Sequence, residues 1–362
     1  MKGSLFLGRI SGIRLSVHWT FIFILIYAFI IYYQREQDPE QGLMGVLLIL
    51  ALFICVVLHE LGHALTAKSF NIMTKSITLL PIGGIARLEK FPEKPKEELL
   101  VVLAGPLVNV VIAILIYLFL NATNNLPSIT EEPENLVKLT GGVFLFNLLV
   151  ANVVLAVFNF IPAFPMDGGR ILRALLSFKF SREKSTRIAA GIGQFIAVLF
   201  FFAGFYMNIW LVLIGVFIFL GAGAEAQFEI SRTALSGHKV KDVLMKKFIV
   251  LSPDDTLEKA VQYLLDGQAQ EFVVAENEKV MGILSRDELI KGLSADGNKS
   301  KVSDAMRKDY LTLDPEMSLQ EVYLKIMQTK CPIAPVMENG KFIGIVDKEN
   351  IDEFIMVKKA LE

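Results

Sequence analysis

The sequence predicts an α-helical polytopic membrane protein of about six transmembrane helices, followed by a C-terminal α/β tandem repeat. Three observations predict it. Long uncharged apolar runs are confined to residues 1–228, basic residues fall in alternate loops between those runs, and the tail matches itself at a fixed offset. Of the 362 residues, 53% are hydrophobic, above the roughly 45–50% of an ordinary soluble domain. A net charge of −1 leaves no basic footprint for nucleic acid, so no nucleic-acid partner is expected. The two cysteines, Cys55 in an apolar run and Cys331 in the polar half, supply neither a disulfide framework nor a cysteine metal cluster.

A membrane helix needs ~20 mostly apolar residues. Segments 16–34, 43–68, 98–120, 139–161, 187–206 and 209–228 meet that condition, with Met207-Asn208 as the turn between the last two. The first run lacks a small-residue cleavage site and is followed by Arg35, so it reads as a retained helix. His18 and Trp19 at its start read as an interfacial anchor. Orientation follows from lysine and arginine in short loops. Lys2, Arg9 and Arg14 precede the first span; Lys75, Arg87, Lys90, Lys94 and Lys96 follow the second; Arg170, Arg173, Lys179, Arg182 and Lys184 follow the fourth. The alternate loops hold only Arg35 and Lys138 beside several acids. The expectation is a cell-membrane protein with both termini cytoplasmic.

The loop after the second span contains Thr78-Leu-Leu-Pro-Ile-Gly-Gly-Ile-Ala-Arg87, apolar but too short to cross. Gly83-Gly84 suggests a tight turn between two extended pieces. Lipid does not tolerate an open strand edge, so such a hairpin must pack on protein or a wet cavity.

After a linker at 229–239, the tail repeats. Sliding the sequence by 62 residues aligns Val240 with Val302, Pro253 with Pro315, Leu257 with Leu319 and Gly282 with Gly344 without a gap. The units are 240–295 and 302–357, each a short strand, a helix and a strand pair around an Asn/Gly turn. Self-similarity of this kind predicts two copies burying a shared face.

The chemistry is carried by His59-Glu60-Leu61-Gly62-His63. Histidines at i and i+4 share one helix face and can reach one ion, and Glu60 is placed to act as a base on water beside it. The motif follows Leu47–Leu58, a run without charge, and ionisable groups at such depth are costly and tend to be functional. Catalytic zinc takes three protein ligands and keeps one position open. The best third ligand is Asp167, the only acid between Glu134 and Glu183. It lies just past the inner end of the fourth span, where prolines and glycines break the helix. The plainer alternatives are hydrogen-bonded histidines, a helix-capping Asp167, interhelical hydrogen bonds for Asn109, Asn152 and Asn159, and a simple kink at Gly105-Pro106.

Four stretches together resemble the site-2 protease family of intramembrane zinc metalloproteases. They are His59-Glu-Leu-Gly-His63, Pro81-Ile-Gly-Gly-Ile-Ala86, Ala104-Gly-Pro-Leu-Val-Asn109 and the Asn159-x-x-Pro-x-x-Pro-x-Asp-Gly168 run. The likeness extends to the branch that ends in paired CBS domains, which includes the sporulation pro-sigma-factor protease. It implies one Zn2+ held by His59, His63 and Asp167, with Glu60 as general base and Asn159 stabilising the oxyanion. It implies regulated intramembrane proteolysis: cleavage in or near a transmembrane segment of a membrane-protein substrate, with the CBS pair modulating activity. It also implies a lipid-bilayer setting and a homo-oligomer through the CBS domains.

CBS units often bind an adenine nucleotide where a glycine is followed by two apolar residues, Ser or Thr, two variable residues and Asp. Here the first repeat reads Gly282-Ile-Leu-Ser285-Arg-Asp-Glu288 and the second Gly344-Ile-Val-Asp347-Lys-Glu-Asn350. Ser285 and Glu288 are the candidate nucleotide contacts, while Asp347 places a carboxylate where a phosphate would lie. Unequal binding or none is therefore expected. The alternative function is a CBS-gated ion transporter or channel, in which the same His, Glu and Asp residues form an ion path. The six spans show no inverted repeat, a common transporter feature.

Overall fold

A computed structural model describes residues 3–361 apart from 82, 89–91, 93, 128–137, 140, 268, 278 and 330. The chain divides into two compact units, Met1–Gln227 and Phe228–Glu362.

The first unit begins with strands β1 (Ser4–Ile10) and β2 (Ile13–His18), followed by helices α1 (Phe21–Glu36) and α2 (Pro39–Ser69). Strands β3 (Thr74–Leu80) and β4 (Gly83–Leu88) come next, then α3 (Pro95–Ala122), α4 (Gly141–Phe160), α5 (Asp167–Leu176), α6 (Arg182–Met207) and α7 (Ile209–Ala234). Five of these helices, α2, α3, α4, α6 and α7, are long and apolar enough to cross a membrane. Their outward faces leave Phe195, Phe202, Leu213 and Leu220 exposed, which hydrocarbon solvent accepts and water does not.

The first expected span differs. Residues 16–18 belong to β2, and α1 has 16 residues, a rise of about 24 Å against a hydrocarbon core of about 30 Å. The strand that precedes α1 runs through His18 and is held by pairing on both sides. Ile13 and Leu15 are buried while Arg14 is exposed, a period of two that suits a strand. β2 pairs antiparallel with β1 and parallel with β3, and β3 pairs antiparallel with β4. The sheet order is β1-β2-β3-β4, so β4 forms one edge. The expected hairpin is present, but Gly83-Gly84 open β4, paired opposite Leu80 and Leu79. A Cβ on Gly84 would come within 2.7 Å of Glu60 Cγ. That glycine serves a close approach to α2, not a turn.

Helix α2 starts with Asp38 as N-cap, its carboxylate accepting from the Glu40 N–H, and Pro39 in the first turn. Helices α3, α5 and α6 are joined by buried charge: Glu98 accepts from Arg173 Nε at 2.9 Å, from Arg173 Nη2, and from Arg182 Nη1 at 3.1 Å. Breaking a buried pair of this kind costs about 3–5 kcal/mol, because the surviving charge stays desolvated.

In the second unit, a 3-10 turn at Val240–Val243 precedes β5 (Val250–Leu251), α8 (Leu257–Leu265), β6 (Phe272–Glu276), β7 (Lys279–Leu284) and α9 (Arg286–Asp296). The second repeat gives α10 (Val302–Ala305), α11 (Leu319–Thr329), β8 (Ile333–Glu338), β9 (Lys341–Asp347) and α12 (Lys348–Leu361). Asn277 and Asn339 take positive φ at the two hairpin turns, where asparagine tolerates the left-handed region. Val273, Val280 and Ile283 of one repeat share a core with Cys331, Ile333 and Ile345 of the other. The two copies thus bury a common face.

Candidate metal centre

His59 and His63 lie one turn apart on α2, their rings 4.7 Å between centroids and 82° between planes. The His59 Nε2 and His63 Nε2 atoms are 3.1 Å apart. Asp167, the first residue of α5, brings its Oδ2 to 3.2 Å from each of them. The three ligand atoms form the candidate metal group among the described residues.

Each imidazole is oriented from its other nitrogen. His59 Nδ1 lies 2.7 Å from Asn109 Oδ1, and His63 Nδ1 lies 2.8 Å from the Val101 carbonyl. Both acceptors belong to α3. A carbonyl and an amide oxygen accept only, so Nδ1 carries the proton in both rings and both Nε2 lone pairs face Asp167. Asn109 is itself fixed: its Nδ2 donates to Asn152 Oδ1 at 3.2 Å, and Asn152 Nδ2 donates to the Leu148 carbonyl at 2.8 Å. Both asparagines are fully buried.

This donor set fits zinc. Two imidazole nitrogens and a carboxylate oxygen within 3.2 Å of one another repel unless a cation or a shared proton sits among them. Tetrahedral ligands on an ion with bonds of ~2.0 Å are separated by about 3.3 Å. A Cβ on Gly105 of α3 would fall 2.1 Å from His63 Nε2 and 2.7 Å from His59 Nε2. The missing side chain therefore leaves open the space onto which both lone pairs point.

Glu60 is half-buried on the same helix, outside the ligand group and beneath Gly84. Asn159 is half-buried in the last turn of α4, on the face that carries buried Asn152 and Ala156. Its amide makes no hydrogen bond among the described residues. Motif reading left Gly105 as a kink; it gave interhelical hydrogen bonds for Asn109 and Asn152, which the structure shows, but not their hold on His59. The signal was present in Ala104-Gly-Pro-Leu-Val-Asn109, but only tertiary contact shows what it faces.

In the second unit, Ser285 and Glu288 form a reciprocal cap on α9. Ser285 Oγ accepts from the Glu288 N–H at 3.4 Å, and Glu288 Oε2 accepts from the Ser285 N–H at 3.2 Å. Glu288 Oε1 also pairs with Arg307 Nη2 at 2.6 Å. Asp347 caps α12 without the return bond, accepting from the Asn350 N–H at 2.7 Å. Ser285 lines a cleft of ≈ 330 Å³ with Glu271, Arg286, Asp287, Arg307 and Lys348. Burial, with Glu288 next in effect and Asp287 and Asp347 adding to it, pushes the Glu271 carboxyl up to about 8.

Comparison with known proteins agrees with this architecture. The model of Peptidase family M50 matches residues 47–201, and the CBS domain model matches 240–295 and 302–357. A zinc metalloprotease of Methanocaldococcus jannaschii is 33% identical over 352 residues, spanning 97% of this chain and 96% of that protein. Stage IV sporulation protein FB of Bacillus subtilis is 30% identical over 141 residues, 39% of this chain and 44% of that protein. Among solved structures, a site-2 protease from Methanocaldococcus jannaschii is 38% identical, covering 62% of this chain and 95% of that one, with a TM-score of 0.44. On the near-complete alignment to the archaeal zinc metalloprotease, this chain belongs to peptidase family M50, the site-2 type of zinc metalloprotease, and carries a CBS domain pair.

Proposed function

We propose that the protein hydrolyses a peptide bond in or near a transmembrane segment of a membrane-protein substrate, using one zinc held by His59, His63 and Asp167. The convergence of both Nε2 atoms on Asp167 Oδ2, with Gly105 leaving the space before them open, carries this reading. Zinc, when bound, polarises the scissile carbonyl and makes water a competent nucleophile near neutral pH. Glu60 takes the proton from the attacking water and returns it to the leaving amine nitrogen. The Asn159 amide donates to the oxygen on which negative charge develops. Strand β4 forms the sheet edge beside Glu60, which supports substrate binding as an added strand, through main-chain hydrogen bonds tolerant of sequence. The test is zinc content and cleavage of a membrane substrate by the parent chain against its Glu60→Gln variant.

The lysine and arginine asymmetry supports cytoplasmic termini. Cysteine substitutions at positions 95 and 130, labelled from outside intact cells, test this. Only position 130 is expected to react, and labelling at 95 overturns the orientation.

The CBS pair is proposed to modulate cleavage. One covalent feature supports this: α7 begins in the first unit, and at its end Ala234 and the following Leu235 enter the core of the second. Nucleotide is expected in at most one cleft, that of Ser285. Below about 8 the Glu271 carboxyl is protonated and does not repel phosphate, with Arg286, Arg307 and Lys348 lining the same cleft. Above that pH it becomes an anion beside Asp287, Glu288 and Asp347, so affinity is expected to fall. Calorimetry of the full chain with ATP and AMP at pH 7 and pH 9 checks this. Two equivalent nucleotides per chain, or tighter binding at the higher pH, refutes it.

A further inference from the structure

We propose that Glu225 of α7 is a positioning residue for the metal centre, acting through Arg170 to hold the first turn of α5, and with it Asp167, against the histidine pair. The proposal rests on the reading of Asp167 as a zinc ligand.

Asp167 and Arg170 are three residues apart on α5 and so lie on neighbouring positions of one helix face. Arg170 Nη2 reaches Glu225 Oε1 at 3.1 Å, with the two side chains 30% and 20% exposed. Glu225 is the first charged residue of α7, after sixteen uncharged positions from Ile209 to Ala224. A carboxylate there is costly unless it has a partner. The surrounding contact between α7 and the Asp167-bearing segment is apolar and made largely of small groups. Ala222 and Ala226 pack with Phe164, and Ile218 packs with Ala163. Such faces bring the helices close but are weakly directional, whereas an ion pair has a defined geometry.

The other end of α5 is tied differently. Arg173 binds Glu98 of α3, the helix that orients both histidines through Val101 and Asn109. Two arginines one turn apart therefore tether α5 to two separate helices. Arg170 lies nearer Asp167 in sequence and stands in electrostatic range of both Asp167 and Glu60. Its Nε is buried without a hydrogen-bond partner, so the Glu225 contact is the hydrogen bond that orients this guanidinium among the described residues.

The experiment measures zinc affinity of the purified full chain by competition with a chromogenic chelator, together with the melting temperature of the metal-free protein. Glu225→Gln and Arg170→Met are each expected to weaken zinc binding by about 10–100-fold, the usual range for partners that orient ligands. The double variant is expected to be no weaker than the weaker single one, since both act through one contact. Asp167→Ala serves as the reference. If Asp167→Ala loses zinc affinity while Glu225→Gln and Arg170→Met keep that of the parent, the positioning role is overturned and the ligand reading stands. If Asp167→Ala binds zinc as tightly as the parent, the ligand reading itself fails. A lowered melting temperature with unchanged zinc affinity marks a purely structural pair and also overturns the proposal. Should Arg170→Met not fold, Glu225→Asp, which keeps the charge and retracts it by one methylene, carries the test beside Glu225→Gln. Unchanged affinity in both is decisive against it.

Discussion

Glu60→Gln is expected to retain one zinc per chain and to lose peptide-bond hydrolysis by on the order of 10²–10⁴-fold, the usual contribution of a positioned acid–base group. The reasoning is geometric. His59, His63 and Asp167 form the candidate ligand group without Glu60, so replacing it removes none of these donors. The amide is nearly the same shape as the carboxylate and fits under Gly84, where a side chain would collide with Glu60 Cγ at 2.7 Å. What the amide lacks is the ability to accept a proton from water and pass it to the leaving nitrogen. Metal analysis of the purified variant should match the parent, and single-turnover cleavage should not. A variant that cleaves at the parent rate removes Glu60 from the mechanism.

Gly105→Ala is expected to lower zinc affinity and cleavage together, by on the order of 10²-fold or more, at or beyond the upper end of what disturbing ligand orientation costs. The added methyl would sit 2.1 Å from His63 Nε2 and 2.7 Å from His59 Nε2. Real carbon atoms do not approach a ring nitrogen that closely, so the imidazoles must turn or α3 must retreat. Neither motion is free. His63 Nδ1 is held by the Val101 carbonyl one turn away on the same helix, and His59 Nδ1 by Asn109 one turn on. Moving α3 therefore carries the orienting acceptors with it. A simple helix kink at Gly105-Pro106 gives a different result: alanine would cost some stability, and the folded fraction would bind zinc normally. Zinc affinity of the folded variant separates the two accounts.

Much of the molecule was legible in the sequence because its signals are one-dimensional. A hydrocarbon solvent demands continuous apolar runs, and five of the expected spans recur as long apolar helices. The i, i+4 histidine pair needs only helical periodicity, and the tail declares itself by its own offset. Asp167 stood out as a lone acid in a long stretch without another, and the fold brings it to the histidines. The first expected span recurs as the helix α1, but its opening residues 16–18 belong to β2 and the helix is shorter than the run. The Ile13-Leu15 alternation was decided by pairing with β3, a segment about 60 residues away. Gly83-Gly84 carried a turn signal, yet Gly84 is spent on the approach of β4 to Glu60.

By itself, then, the sequence determined the spans, the repeat and the chemical types at the centre, since each follows from local periodicity and the solvent around it. Only the tertiary structure decided which nitrogen of each imidazole faces Asp167, that Gly105 leaves the space before them open, and that Glu225 grips Arg170. Those facts depend on side chains that meet across helices far apart in the chain. A hydrogen bond or an excluded methyl acts over about 3 Å, a distance that residue spacing does not encode.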